Sequence, residues 1–279
     1  MSKKINNLKH YSDANFRRIT GIKRKTFEKA IEVLNKKYTE EHSNNTRKSG
    51  RKPKLSMEEK LLATLEYLRE YRTYAHIGAS YGLNESTIYR IIRWIEDTLI
   101  QSKVFSLPGK KALHTDGNEL EVIIIDTTET PIERPKKNQQ KYYSGKKKRH
   151  TIKTQLIING QTKQIICTSF SVGKQHDFNL FKESGVRVLP AVKIQADAGY
   201  QGIKSIHFNS EIPVKNSKRH PLAEADKDFN LQLSMERVVV ENVIAVVKRF
   251  KIVSDRYRNR RRRFGLRFNL LAGICNYEL

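Results

Sequence analysis

Acidic residues are what this 279-residue sequence is short of: 29 Asp+Glu stand against 54 Lys+Arg, a formal net charge of +25 at pH 7. A field of that size and sign attracts polyanions and repels cationic surfaces. Nucleic acid is the partner expected first. An anionic membrane comes second, but it asks for an amphipathic anchor or a lipid site, and the sequence shows neither. Long apolar runs are missing as well. No stretch approaches the roughly 20 residues a membrane span needs, and the opening MSKKINNLKH does not read as a signal peptide. Cysteine is scarce: Cys167 and Cys275 stand far apart with no CxxC. That argues against a disulfide framework or a Cys-based zinc site, and for two buried, reduced thiols in a cytoplasmic protein. There is no Walker A motif, so nucleotide-driven motor chemistry has no support. Internal repeats and low-complexity segments are absent too.

What is present is enough for a folded protein. Hydrophobic residues make up 38%, including 11 Phe and 12 Tyr, which leaves ample material for a core. Residues 12–40 read as a short amphipathic segment, a break at Thr20-Gly21, and a helix carrying Phe27, Ala30, Ile31, Val33 and Leu34 at helical spacing. Residues 41–54 are polar with Gly and Pro, and read as a linker after an N-terminal helical segment, 1–40.

Residues 55–105 read as a second helical unit. Ser56 followed by Glu59 is a capping-box pattern, and Leu61, Leu62, Leu65 and Leu68 mark one helix face. A short helix over about 74–81, a turn at Gly82 and a third helix opened by Asn84 or Glu85 make the helix-turn-helix pattern. In that geometry Asn84, Ser86, Thr87, Tyr89 and Arg90 face a DNA groove. A plain three-helix bundle is the alternative; the net charge favours DNA.

From residue 119 the period changes to that of strands. ELEVIIIDTTE, RHTIKTQLIIN, KQIICTSFSVG and AVKIQADAG are successive strand-like segments, with a short helix in HDFNLFKESG and a fifth strand in EIPVKN. A long helical stretch follows, and after a basic run the chain closes on an apolar helix, LRFNLLAGICNYEL. The expectation is an α/β fold with a mixed sheet flanked by helices, over residues 115–279.

Two aspartates end apolar strands in this reading: Asp126 in VIIIDTTE and Asp197 in VKIQADAGY. Sites in open α/β sheets sit at strand ends, and two converging carboxylates repel unless a cation neutralises them. Each aspartate alone is as well explained as a turn or cap residue. Glu129 reads as a strand-end surface residue. On a helix, Arg237, Glu241 and Lys248 share a face, their offsets of four and seven being one and two turns. Apolar residues around the rest of that helix suggest that it is largely buried, and an internal Arg-Glu-Lys ion-pair ladder is the alternative to a ligand site.

Taken together, IIIDTTE, ADAGYQG and RVVVENVIAVVKRF resemble the DDE transposases of bacterial insertion sequences, in the insertion-sequence-five group. GKQHDFNLF and SDRYRNRRRRFGLRFNLLAGICNYEL are similar to related stretches of that family. The resemblance implies a ribonuclease-H-like catalytic domain in which Asp126, Asp197 and Glu241 are the three metal-holding acids. It implies Arg237 and Lys248 near the scissile phosphate or the DNA backbone. The family's signature is Tyr, two residues, Arg, three residues, Glu, six residues, Lys; here Ser234 stands where the Tyr belongs. The implied cofactor is Mg²⁺ or Mn²⁺, as two ions, serving cleavage of transposon ends and strand transfer. The implied partners are terminal-repeat and target DNA and a second copy of the chain, with no membrane, in the bacterial cytoplasm at the nucleoid. His176 and Asp177 are read either as a polar contact and a helix N-cap, or as accessory residues of the site.

Two basic stretches suit DNA backbone. Residues 134–153 hold nine Lys/Arg and no acid, including Lys146, Lys147, Lys148 and Arg149. Residues 251–267 hold eight Lys/Arg against Asp255, including Arg258, Arg260, Arg261, Arg262 and Arg263. Tyr142, Tyr143, Tyr257 and Phe264 are interleaved with them, as aromatics that stack on unpaired bases would be. A DNA-binding protein without catalysis, or a DDE-type endonuclease that no longer transposes, are the competing readings. A pure binder has no need of three acids in a cationic cleft.

Overall fold

The computed structural model describes Leu8 and residues 10–43, 53–115, 120–217 and 221–279. The chain divides into two compact units. One gathers the described residues up to Ser106 with Lys248–Ser254 and Arg261–Glu278; the other gathers Leu107–Val247 with Asp255–Arg260. This division departs from the expected block 115–279, because the end of the chain returns to the helical unit.

The first unit is helical. Helix α1 (Asp13–Thr20) starts at Ser12, whose side chain accepts from Asn15 N, and stops at Gly21 with φ 82°. Helix α2 (Arg24–Ser43) follows and runs into the expected linker, of which residues 44–52 lie outside the described residues. Helix α3 (Met57–Arg69) begins with the capping box, Ser56 and Glu59 each bonding the other's backbone N–H. Helix α4 (Tyr74–Tyr81) ends at Gly82 in the left-handed region, and α5 (Glu85–Gln101) is capped by Asn84. The α4–α5 turn needs a second glycine: a Cβ on Gly78 would lie 2.5 Å from Leu83 O.

The C-terminal helix (Phe264–Tyr277) packs in this unit through apolar residues such as Phe264, Phe268, Leu271 and Ile274 and through a buried ion pair. Glu96 of α5 is fully buried; Arg267 Nε donates to its Oε1 at 2.7 Å and Arg263 Nη2 to its Oε2 at 2.9 Å. The Arg267 guanidinium also stands over the Tyr67 ring, 5.2 Å from its centroid. A buried carboxylate costs too much to stay unpaired, so these two arginines tie the end of the chain to α5.

Among the described residues the second unit is built on a mixed sheet of six strands: β1 (Val122–Pro131), β2 (Tyr143–Ser144), β3 (Arg149–Asn159), β4 (Ile165–Val172), β5 (Lys193–Ala196) and β6 (Ser210–Glu211). β1 pairs antiparallel with β3 and parallel with β5; β3 also takes β4 and the short β2, and β6 adds to β5. The four main strands stand where the hydrophobic patterning puts them. The fifth is shorter than expected, only Ser210–Glu211, because Pro213 interrupts EIPVKN. One sheet face carries Ile123, Ile125, Ile157, Ile194 and Ala196, closed over by Phe181 and Tyr200. Between strands lie α6 (Gln139–Tyr142) and α7 (Asp177–Glu183); α8 (Glu224–Lys248) and the short α9 (Lys251–Ser254) come after the last strand in sequence.

Helix α8 is not largely buried. Only Leu233, Val240 and Val247, two turns apart, are buried, whereas Leu231, Met235, Val238 and Val246 are exposed. Apolar residues all round a helix signal burial, but here one stripe suffices to seat it. Both cysteines are buried and free. Among the described residues no helix is long and apolar enough to cross a membrane.

Candidate active site

Parallel pairing between β1 and β5 runs from Val122↔Lys193 to Ile125↔Ala196 and stops there. The next residue on each strand is an aspartate, Asp126 and Asp197. Strand alternation turns Asp126 to the face that carries Ile124 and Gln195, away from the core formed by Ile125 and Ala196, and Asp197 follows Ala196 in extended backbone as the cap of the next turn. Asp126 is not at a strand end as expected. β1 continues to Pro131 because its other neighbour, β3, pairs with it as far as Pro131↔Thr151. It is only toward β5 that the sheet opens at Asp126, and that opening is what brings the two carboxylates together.

Each is held by its own loop or helix. Thr127 N donates to Asp126 Oδ1 at 2.7 Å, and Arg237 Nη2 of α8 stands 3.9 Å from Asp126 Oδ2. Asp197 caps the turn Ala198–Tyr200, its Oδ1 accepting from Gly199 N at 2.9 Å. Burial pushes the Asp126 carboxyl up to about 6; the Thr127 amide and Arg237 oppose this, while the charges of Asp197 and Asp177 add to it. The neighbouring Tyr200 phenol is held protonated by burial first and by Asp177, Asp126 and Asp197 after it.

Asp177 thus belongs to the same group of charges. It is not the helix N-cap: His176 occupies that position, exposed and without a side-chain cap bond, and Asp177 is the first residue of α7. Its Oδ1 instead accepts from Lys153 Nζ at 2.7 Å, since an ammonium is a stronger donor than a helix N–H. Glu129 is likewise inside β1 and accepts from Thr151 Oγ1 at 2.7 Å.

The Arg-Glu-Lys ladder is not formed: Arg237 is directed to Asp126. Glu241, one turn further on the same side of α8, is exposed. On the other flank of the buried stripe, Glu236 accepts from Gln195. Lys248 closes the helix. Among the described residues no three His, Cys, Asp or Glu side chains form a ready metal cluster. The donor set nevertheless fits a hard divalent cation. Every donor is a carboxylate oxygen. The largely buried Asp126 has two acidic neighbours, and the Arg237 guanidinium facing it stands no closer than 3.9 Å.

The basic stretches separate into outward and inward residues. Lys146, Lys147, Lys148 and Arg149 are exposed in the β2–β3 hairpin, with Tyr143 at 43% exposure beside them. Arg258, Arg260, Arg261 and Arg262 are exposed as well. Arg263 is not: it pairs with Glu96 and Asp97. Tyr257 and Phe264, at 1% and 2% exposure, are core residues and cannot stack on a base. In the helical unit Asn84, Ser86, Tyr89 and Arg90 are exposed and Thr87 half-buried.

Lys153 is the residue that sequence reasoning misplaces. The charge run groups it with the DNA-backbone stretch 134–153, but it is buried and bound to Asp177. The signal is its place in an apolar strand: from Thr151 to Asn159 every residue of β3 is buried, on both faces, and Lys153 lies inside that run.

A model of the DDE superfamily endonucleases matches residues 125–276, and one of the helix-turn-helix of DDE superfamily endonucleases matches residues 53–103. The chain is 48% identical over 276 residues, 99% of its own length and 98% of the relative's, to a probable transposase for insertion sequence element IS702 of Microchaete diplosiphon. A solved structure of a piggyBac transposase synaptic complex with hairpin DNA is similar at 13% identity and a TM-score of 0.45, over 89% of this chain and 71% of that one.

Proposed function

Because the chain belongs to the DDE superfamily endonucleases, we propose that it is a transposase that cuts DNA at transposon ends and joins them to target DNA at Asp126 and Asp197. The observation that carries the site assignment is the pair itself: two aspartates one row past Ile125↔Ala196, at the start and in the body of the matched region. Endonucleases of this family depend on divalent metal. In this reading the cation is Mg²⁺ or Mn²⁺, as two ions, held by Asp126, Asp197 and Glu241. When bound, the ions supply activation of the attacking water or 3′-hydroxyl and stabilisation of the leaving oxygen.

The chain's own residues do the rest. The Thr127 amide fixes the Asp126 carboxylate, and Gly199 N fixes that of Asp197. Glu241 is exposed on α8, so its carboxylate reaches solvent and a ligand without leaving a packed interior. Arg237 faces the Asp126 carboxylate; in this reading it meets a phosphate oxygen there, and Lys248 on the same helix meets the DNA backbone. The helix-turn-helix, through Ser86, Thr87, Tyr89 and Arg90, reads the terminal repeat. Lys146, Lys147, Lys148, Arg149, Arg258, Arg260, Arg261 and Arg262 hold phosphates along the way. Two ends are joined by two copies of the chain.

Purified protein with Mg²⁺ and a duplex carrying its element's inverted repeats tests this. The expected products are nicks at the repeat termini and, with a plasmid target, joined molecules; chelator abolishes both. Retention of the duplex without cutting under any divalent metal would leave a DNA-binding protein without catalysis.

A further inference from the structure

Lys153 is a buried cation inside an acidic group. It is 7% exposed, and its ammonium donates to Asp177 Oδ1 at 2.7 Å and to Gln175 O at 2.6 Å. The other oxygen of Asp177 lies near Asp197: a Cβ built on Gly199 would meet Asp177 Oδ2 at 2.8 Å and Asp197 Oδ1 at 3.0 Å. Glycine is thus the only residue type that lets both carboxylates reach this point without a shift. Three aspartates and one lysine share the neighbourhood, with Arg237 facing Asp126.

The balance of charge gives that lysine a role. Three half-buried carboxylates whose charges act on one another would compete for a cation, and Asp177 and Asp197 approach each other at Gly199. An ammonium locked onto one of them satisfies that one permanently and leaves two. A metal ion, which must shed water to bind, then finds at Asp126 and Asp197 carboxylates that no cation among the described residues hydrogen-bonds, Arg237 standing off at 3.9 Å, whereas Asp177 is held by its ammonium.

We infer that Lys153 is a positioning residue, a resident counter-cation that withdraws Asp177 from metal binding and leaves the metal to Asp126, Asp197 and Glu241. The inference rests on the metal reading proposed above. It concerns binding in the protein without DNA, so it is tested apart from cutting.

The measurement is Mn²⁺ uptake by the full-length protein, read by electron paramagnetic resonance of the free ion, with melting curves to establish that each variant is folded. Lys153→Met releases Asp177 and should tighten Mn²⁺ binding about tenfold or add an ion. Lys153→Arg keeps the charge and should return the parent isotherm, as should Asp177→Asn combined with Lys153→Met. Should Lys153→Met not fold, Asp177→Asn alone carries the test in the opposite direction. It leaves the ammonium uncompensated near Asp197 and should weaken Mn²⁺ binding about tenfold. Isotherms of Lys153→Met and Asp177→Asn that coincide with the parent's overturn the inference and leave the metal reading intact. A parent that takes up no Mn²⁺ overturns both.

Discussion

Asp126 and Asp197 directly follow Ile125 and Ala196, the last paired residues of two parallel strands, and the charge of Asp197 acts on the Asp126 carboxyl. β5 ends there while β1 continues against β3, so a notch opens in an otherwise continuous sheet. Burial in that notch is what gives Asp126 its raised pKa, and the first prediction follows from it.

An aspartate in the unfolded chain titrates near ~3.9, and Asp126 in the fold titrates at about 6. Between these values the folded protein binds the extra proton, so Asp126 makes stability fall as pH rises from about 4 to about 6. Above that the ionised form carries the full cost, roughly 3 kcal/mol. Asp126→Asn removes the cost. In chelator, the variant should melt above the parent at pH 8 and together with it at pH 4. A variant that melts below the parent at pH 8 would contradict the assignment of burial as the dominant cause.

The basic hairpin should act through phosphates. Replacing Lys146, Lys147 and Lys148 with Ala should lower the slope of log affinity against log salt by about 2–3, at ~0.9 for each phosphate no longer neutralised. Fluorescence anisotropy over a salt series measures it. An unchanged slope would make these lysines a solvated face.

Arg263 and Arg267 predict the reverse pattern. Glu96→Gln leaves two guanidinium groups over a neutral partner, one of them in the core, and should cost about 3–5 kcal/mol in denaturant unfolding. Arg263→Ala should lower stability while leaving the salt slope of DNA binding as it was. A loss of slope without loss of stability would return Arg263 to the DNA surface.

In the helix-turn-helix, Gly78→Ala puts a methyl group against Leu83 O and should loosen the α4–α5 turn. Arg90→Ala, on the exposed face of α5, should weaken binding to the terminal repeat with no change in melting temperature. Equal affinity of Arg90→Ala for the repeat would move the reading face elsewhere.

Much of this is legible in the sequence because it is local. Ser56 with Glu59, Gly82 and Asn84 are short-range cap and turn signals, and the structure forms each. Apolar runs place the four main strands. What is not legible depends on partners far away in the chain. Nothing near Asp126 says that β1 goes on pairing with β3 for five more residues. Nothing in the run of four arginines 260–263 singles out Arg263 as the one bound to Glu96, more than 160 residues earlier. Tyr257 stands among basic neighbours in sequence, and its place in the core comes from pairing with Pro131 and Ile132, more than 120 residues earlier. Glu241 is recognisable through its spacing to Arg237 and Lys248, and its exposure on α8 follows from a stripe too narrow to bury it.

The most direct measurement is nicking of terminal-repeat DNA in Mg²⁺ by Asp126→Asn, by Asp197→Asn and by the double variant, each checked for unchanged DNA retention. If the two aspartates hold one metal centre, each single variant falls to background and the double variant is no worse than either, as residues acting as a unit behave. Glu241→Gln belongs in the same series and should also be silent. Asp197→Asn cutting at the parent's rate would contradict the account.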